Sequence, residues 1–268
     1  MNGVLGPSPY LVEILTPKQS EKDFEAALPV FRERYNRIVR EGHIVSVPDN
    51  PLGNLHFTAL EVIEYDELEV RPQQFLLHLN TFHRKVDLDR LLAQADEMGV
   101  QNILCISGDG GPRLPRLEPE DLKVDAKTVT SVELLRYIES ALPGRFTLGV
   151  AFNQYEPSEH ELRKLDDKLE AGARFVVTQP VLGEDEGIRE LLSRDLPVYL
   201  GAWMSRNVRL LAECVGYLVD ALATGYDPVR NLRRLQDLYT PAGYYLSLLS
   251  FSGSWEALLP QAGLVGGR

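Results

Sequence analysis

Apolar residues fall into two kinds of run along the chain. Short runs rich in β-branched and aromatic residues predict eight strands, at residues 10–15, 43–47, 74–80, 102–107, 146–152, 174–179, 197–203 and 243–251. Between these runs, apolar residues recur at the three- and four-residue spacing of an amphipathic helix. The pattern therefore predicts strands and helices in alternation.

The first predicted helix follows Ser20 as its N-cap and extends through Ile38, and another ends at Gly99. Further helices are predicted at residues 131–142, 159–171, 185–193, 205–223 and 228–238, and residues 54–70 are ambiguous. Strict β/α alternation indicates a parallel sheet. Eight such units in 268 residues fit a (β/α)8 TIM barrel.

We expect this barrel to be one domain over residues 1–268, with an irregular C-terminal segment after about 240. A doubly wound open sheet is the alternative architecture. No G-x-G-x-x-G follows the first predicted strand, which argues against that alternative.

Composition narrows the classes of function. The formal net charge is -11, and no long basic block occurs, so binding to nucleic acid or to an anionic membrane is disfavoured. Cys105 and Cys214 lie in apolar surroundings and are expected to be free thiols. Neither C-x-x-C nor H-E-x-x-H occurs, so no metal site is predicted. The N-terminal residues lack the pattern of a signal peptide, and a cytoplasmic protein is expected.

Candidate chemistry lies at the carboxyl ends of the predicted strands, where a barrel of this kind places its active site. Glu13 interrupts the apolar run YLVEIL, where a central strand should be apolar. A carboxyl buried there has a raised pKa or a paired cation, and a raised pKa suits a general acid at neutral pH. The strand pattern favours this role and a purely structural one equally.

Three other strand ends carry polar candidates. His78 interrupts the strand QFLLHLN, and a core histidine bonded to a carbonyl explains it better than a ligand contact does. The amide of Gln179 can donate and accept at the edge of a heteroaromatic ligand. Asp109 stands between Gly108 and Gly110, which leaves it open to a ligand, although a tight turn with a solvated carboxylate gives the same pattern.

In order along the chain, four segments resemble the methylenetetrahydrofolate reductase family. They are VEILTP with Glu13, LLHLN with His78, NILCISGDGGP with Asp109, and the run from Lys168 through AGARFVVTQ, which ends at Gln179. The likeness covers roughly residues 10–205. It implies a flavin-binding (β/α)8 barrel.

The resemblance implies reduction of 5,10-methylenetetrahydrofolate to 5-methyltetrahydrofolate, with hydride passing from NAD(P)H through bound FAD to the folate. Glu13 then matches the acid that protonates the folate nitrogen. Asp109 matches the acid at the junction of flavin and folate, and Gln179 matches an amide that contacts the substrate. Flavin contacts are implied at His78, Asn80, Gly108 and Lys168.

Several family positions are changed. Ser107 replaces an arginine before Gly-Asp, Pro48 replaces a threonine, and the loop at 152–157 has lost its usual tyrosine and histidine. Most changes fall on flavin contacts. The sequence therefore leaves open a reductase that works without flavin and a reductase that receives electrons from a partner subunit. It also leaves open a folate-binding or methyl-transfer accessory protein without reductase activity. Assembly into a homo-oligomer is possible for any of these. An unrelated barrel is also compatible, since fold does not fix function.

Overall fold

Eight parallel strands close into one barrel in a computed structural model that describes residues 10–216, 225–253 and 255. Each strand pairs with the next along the chain, and β1 pairs with β8. The strands are β1 Tyr10–Glu13, β2 Ile44–Val47, β3 Phe75–Leu79, β4 Asn102–Cys105, β5 Thr147–Phe152, β6 Phe175–Pro180, β7 Val198–Trp203 and β8 Gly243–Ser247. The predicted (β/α)8 barrel is confirmed.

The helices lie between the strands in sequence. They are α1 Phe24–Arg40, α2 Ala59–Tyr65, α3 Lys85–Glu97, α4 Pro119–Leu122, α5 Ser131–Ala141, α6 Ser158–Glu170, α7 Glu186–Leu192, α8 Val208–Val215 and α9 Pro228–Leu238. Within the described ranges, no helix is long and apolar enough to cross a membrane.

Local details differ from the sequence predictions. The N-cap of α1 is Asp23, whose side chain accepts from the N–H of Ala26 at 3.0 Å, and Ser20 lies in the preceding turn. The ambiguous stretch contains α2, which begins with a capping box formed by Thr58 and Glu61. Of the predicted helix 205–223, residues 208–215 form α8, and residues 217–224 lie outside the described part of the chain.

The last strand is shorter than its apolar run. β8 ends at Ser247 rather than at residue 251, because Leu248 adopts a left-handed backbone with φ of 53°. Such a conformation cannot continue a strand. It turns the Leu248 N–H toward the barrel interior, where it meets Glu13.

Two layers of side chains fill the barrel itself. The lower layer is apolar and contains Leu11, Ile44, Leu76, Leu104, Phe175, Val177 and Tyr245. Strand side chains alternate between the two faces of a sheet. The residues two positions beyond this layer therefore face the interior at the carboxyl end of the barrel, and they include Glu13, Ser46 and His78. The barrel thus places a polar layer where its fold class carries active sites.

Candidate active site

Glu13 is the last residue of β1 and accepts two hydrogen bonds. The hydroxyl of Tyr245 donates to Oε2 at 2.6 Å, and the backbone N–H of Leu248 donates to Oε1 at 3.3 Å. Burial raises the pKa of Glu13, and the two hydrogen bonds oppose this rise without cancelling it. Burial next to Glu13 also raises the pKa of Tyr245 well above 10, so the phenol stays protonated and remains a donor. This environment suits a general acid.

His78 continues the same polar layer. Ser46 is paired with Glu13 across the β1–β2 ladder, and its Oγ lies 2.8 Å from Nε2 of His78. The rings of His78 and Tyr245 lie 6.1 Å apart, measured between centroids. Burial lowers the pKa of His78 to about 4, so the imidazole is neutral at pH 7. The four side chains therefore form one connected group inside the barrel.

Close packing between two loops explains why glycines surround Asp109. A Cβ on Gly53 would lie 2.4 Å from the carbonyl oxygen of Gly110, and one on Gly111 would lie 2.3 Å from the carbonyl oxygen of Gly53. The loops after β2 and β4 therefore touch backbone to backbone, which only glycine allows. Asp109 completes this contact, because its Oδ2 accepts from the N–H of Leu52 at 3.1 Å. The Asp109 side chain nevertheless stays exposed.

Cys214 on α8 interacts electrostatically with both Asp109 and Glu13. Burial raises the pKa of the Cys214 thiol, and the charges of Asp109 and Glu13 raise it further. Cys214 on α8 is therefore within electrostatic reach of both carboxylates. The apolar face of α8 packs on Trp203 of β7, with Leu248 alongside.

Gln179 lies at a β-bulge in β6. Val177 pairs with Tyr199 and Pro180 pairs with Gly201, so two residues lie between these pairs on β6 but only one on β7. A bulge of this kind turns a side chain to a new direction. Within the described part of the chain, hydrogen bonds at Gln179 involve its backbone carbonyl, and its half-buried side-chain amide has none. The amide is thus available to a ligand.

The bulge is held from both sides. Nε2 of Gln154 donates to the carbonyls of Gln179 and Pro180 at 3.0 and 3.1 Å, and the Tyr155 hydroxyl donates to Pro180 at 2.6 Å. On β7, a Cβ on Gly201 would lie 2.7 to 2.8 Å from backbone atoms of β6. The loop that departs most from the resembled pattern therefore positions Gln179.

Two of the residues that the resemblance assigns to the flavin, Asn80 and Gly108, make contacts within the protein. Asn80 is fully buried; its Nδ2 donates to the Asp49 carbonyl at 2.8 Å, and its Oδ1 accepts from the N–H of Phe82 at 2.7 Å. Gly108 packs directly on Asn80, since a Cβ there would lie 2.6 Å from the Asn80 Cβ. Asp49 also forms a buried pair with His83, at 2.6 Å.

Lys168 lies between α6 and β5. Its Nζ donates to the Ala151 carbonyl at 2.7 Å and contacts Glu161 at 3.4 Å, and Glu161 also accepts from the N–H of Asn153 at 3.1 Å. Burial lowers the pKa of Lys168, and Glu161 opposes this. Nε2 of His78, the side-chain amide of Asn80 and Nζ of Lys168 therefore each have a partner within the protein.

Sequence reasoning did not find several residues of this site. Tyr245 and Ser46 occupy inward positions of predicted strands, so period-two alternation was a usable signal for both. A glycine inside the strand VYLGAW signalled the close approach at Gly201. Nothing in the sequence indicated that Gln154 would contact the carbonyls of β6.

Solved structures share the fold at low sequence identity. An uncharacterized protein from Clostridium thermocellum that binds two copies of 5-methyl-5,6,7,8-tetrahydrofolic acid matches with a TM-score of 0.61 at 13% identity, over 89% of this chain and 87% of that one. Oxaloacetate acetylhydrolase, solved with an inhibitor, matches with a TM-score of 0.51 at 9% identity, over 97% of this chain and 84% of that one. These matches establish the barrel.

Sequence relatives are more informative about the family. A probable methylenetetrahydrofolate reductase (NADPH) of Caenorhabditis elegans is 26% identical over 58% of this chain and 24% of its own length. Methylenetetrahydrofolate reductase 2 of Schizosaccharomyces pombe is 34% identical over 38% of this chain and 17% of its own. The chain thus spans a quarter or less of these relatives. The family model described as methylenetetrahydrofolate reductase matches residues 10–189. Together with the barrel, that match shows that the chain belongs to the methylenetetrahydrofolate reductase family.

Proposed function

We propose that the chain is an oxidoreductase that binds a reduced folate at the mouth of the barrel and converts 5,10-methylenetetrahydrofolate to 5-methyltetrahydrofolate. The observation that carries this proposal is Glu13, a carboxyl with a raised pKa at the carboxyl end of β1, hydrogen-bonded to Tyr245 and Leu248. Family membership supports the reaction class. The 5-methyltetrahydrofolate bound by the Clostridium thermocellum protein supports the ligand.

The reaction adds one proton and one hydride to the substrate. Glu13 gives its proton to the folate nitrogen as the methylene bridge opens, and the hydride reduces the resulting one-carbon cation to a methyl group. A carboxyl with an ordinary pKa would hold almost no proton at neutral pH. The burial that raises the pKa of Glu13 therefore supports its role as the acid.

Asp109 and Gln179 are proposed to bind the folate. Asp109 is exposed in the loop after β4, and its charge and that of Glu13 both act on Cys214. Its carboxylate can accept hydrogen bonds from the N–H groups of a pterin, and its charge favours the cation formed when the bridge opens. Gln179 offers a donor and an acceptor from the opposite side of the barrel.

The hydride source has two candidates. In the first, hydride passes from NAD(P)H through FAD, with His78, Asn80, Gly108 and Lys168 near the flavin. In the second, the protein works without tightly bound flavin, by direct transfer from NAD(P)H or with an electron-donating partner. The internal hydrogen bonds of His78, Asn80 and Lys168 favour the second candidate.

The ultraviolet–visible spectrum of freshly purified protein separates these candidates, since bound FAD gives a visible flavin band. Turnover is then measured as NAD(P)H oxidation that depends on methylenetetrahydrofolate. Glu13→Gln should lower kcat by about 10²- to 10⁴-fold, the usual contribution of a general acid. Asp109→Asn is tested beside Glu13→Gln. This variant keeps an oxygen that can accept from the N–H of Leu52, and it removes the negative charge. Undiminished turnover in Glu13→Gln would disprove the acid assignment.

Folate binding without any turnover would instead favour an accessory protein that binds or transfers the methyl-folate. That outcome requires an equilibrium binding measurement with 5-methyltetrahydrofolate beside the kinetic assay. Absence of both binding and turnover would refute the proposed function.

A further inference from the structure

Leu52, in the loop after β2, combines backbone strain with an exposed apolar side chain. Its φ is 55°, in the left-handed region that L-residues other than glycine, asparagine and aspartate rarely adopt. Its residue surface is 55% exposed, so packing in the core does not compensate the strain. Strain of this kind persists where the surroundings fix the backbone, and it is concentrated at functional sites.

The surroundings of Leu52 do fix its backbone. The N–H of Gly53 donates to the Asn50 carbonyl at 3.1 Å, and the side chain of Asn54 donates to the carbonyls of Pro51 and Leu52, both at 3.3 Å. The backbone contact between Gly53 and the loop after β4 adds a further restraint. The leucine is thus held rigidly in a conformation that its own side chain disfavours.

The same arrangement occurs twice at the mouth. Leu52 gives its backbone N–H to Asp109, and Leu248, with φ of 53°, gives its N–H to Glu13. Each of these two carboxyl groups is therefore bonded to the N–H of a left-handed leucine. Glycine would satisfy the backbone at both positions with less strain. The side chain of Leu248 packs beside α8, whereas the exposed side chain of Leu52 needs a separate explanation.

We propose that the side chain of Leu52 is a ligand contact, an apolar wall against the flat ring system of the folate whose polar edge meets Asp109. This inference rests on the proposed function and adds a residue to its site. Asp109 and Leu52 are joined by a hydrogen bond, so a ring that reaches the carboxylate comes within reach of the leucine. When a ligand covers an exposed leucine, the apolar surface of that side chain leaves water only in the complex. Its burial therefore contributes to affinity.

Two substitutions separate the side chain from the backbone. Leu52→Gly keeps the N–H that Asp109 accepts, relieves the left-handed strain and removes the wall. Leu52→Ala removes most of the wall and keeps the strain. Lys123→Gly is the matched control, because Lys123 also has φ of 55° and forms the C-cap of α4, where its N–H donates to the carbonyls of Glu120 and Pro119.

The test is equilibrium binding of 5-methyltetrahydrofolate, with thermal unfolding of the same samples. We expect Leu52→Gly and Leu52→Ala each to weaken binding about tenfold, or about 1.4 kcal/mol. Lys123→Gly should leave binding unchanged and should shift the Tm in the same direction as Leu52→Gly. If the wild type binds folate and both Leu52 variants bind it as tightly as the wild type does, the role proposed for Leu52 is wrong while the proposed function stands. If the wild type binds no folate, the proposed function and the assignment of Leu52 are both refuted.

Discussion

The hydrogen bond from Tyr245 to Glu13 should control the pKa of the proposed acid. Tyr245→Phe removes this bond, together with the interaction of the hydroxyl with Ser46, and keeps the ring. A net hydrogen bond contributes about 1.5–3 kcal/mol when one partner is charged and about 0.5–1.5 when both are neutral. The phenol therefore favours the carboxylate over the acid form of Glu13 by about 1–1.5 kcal/mol. One pKa unit corresponds to 1.36 kcal/mol, so the variant should raise the pKa of Glu13 further, by about one unit.

The sign of the effect on stability follows from proton linkage. In the unfolded chain Glu13 titrates near its ordinary value of 4.5, and in the folded protein it titrates at higher pH because of burial. The folded state holds the proton more tightly, so the free energy of unfolding falls as pH rises between these two values. Loss of the Tyr245 hydrogen bond widens this window and deepens the fall.

The assay is urea denaturation of wild type and Tyr245→Phe at about pH 4.5 and about pH 8. We expect the variant to lose about 1 kcal/mol more stability at the higher pH than at the lower. Tyr244→Phe is the matched control, because its hydroxyl donates to the carbonyls of Leu235 and Tyr239, both at 3.2 Å, which do not titrate. The high-pH limb of kcat/KM should also move to higher pH in Tyr245→Phe. An equal loss of stability at both pH values would refute the argument.

Two further predictions test the rest of the polar layer. Because burial lowers the pKa of His78 from 6.5 to about 4, its contribution to stability is present above 6.5 and is lost as pH falls toward about 4. A shift of that size corresponds to at most about 3.4 kcal/mol, so His78→Gln should flatten the acid limb of a stability–pH profile, and an unchanged limb would contradict the assignment. Gly201→Ala should move the bulge at Gln179, because its Cβ would lie 2.7 Å from the Thr178 carbonyl oxygen. We expect folate affinity to fall about tenfold or more in that variant, whereas Gly187→Ala in α7 should leave it unchanged; equal affinities in both variants would argue against the bulge as the support of Gln179.

The strands and helices were predictable because each buries an apolar face with its own period. Every strand of the barrel coincides with a predicted apolar run, and the errors are at the ends. The first helix begins at Phe24 rather than after Ser20, and the last strand ends before Leu248. Ends are decided by single hydrogen bonds and backbone angles, which hydrophobic periodicity does not encode.

The individual roles within the site were less accessible. Glu13 stood out because a carboxyl inside an apolar strand is unusual in any fold. Lys168 was singled out through a family motif, and its observed contacts with Ala151 and Glu161 lie between α6 and β5. A motif preserves the residue at a position. The partner of that residue depends on every segment that packs around it.

The sequence by itself determined the alternation of strands and helices, and through it the closed barrel and the edge at which Glu13, Asp109 and Gln179 lie. Tertiary structure alone decided what those residues contact. Tyr245 meets Glu13 across 232 positions of the chain, and Leu52 meets Asp109 across 57. Periodicity records which face of a strand is buried, because burial acts on each segment separately. Hydrogen bonds between loops depend on the relative placement of segments far apart in sequence, and that placement exists only once the barrel has closed.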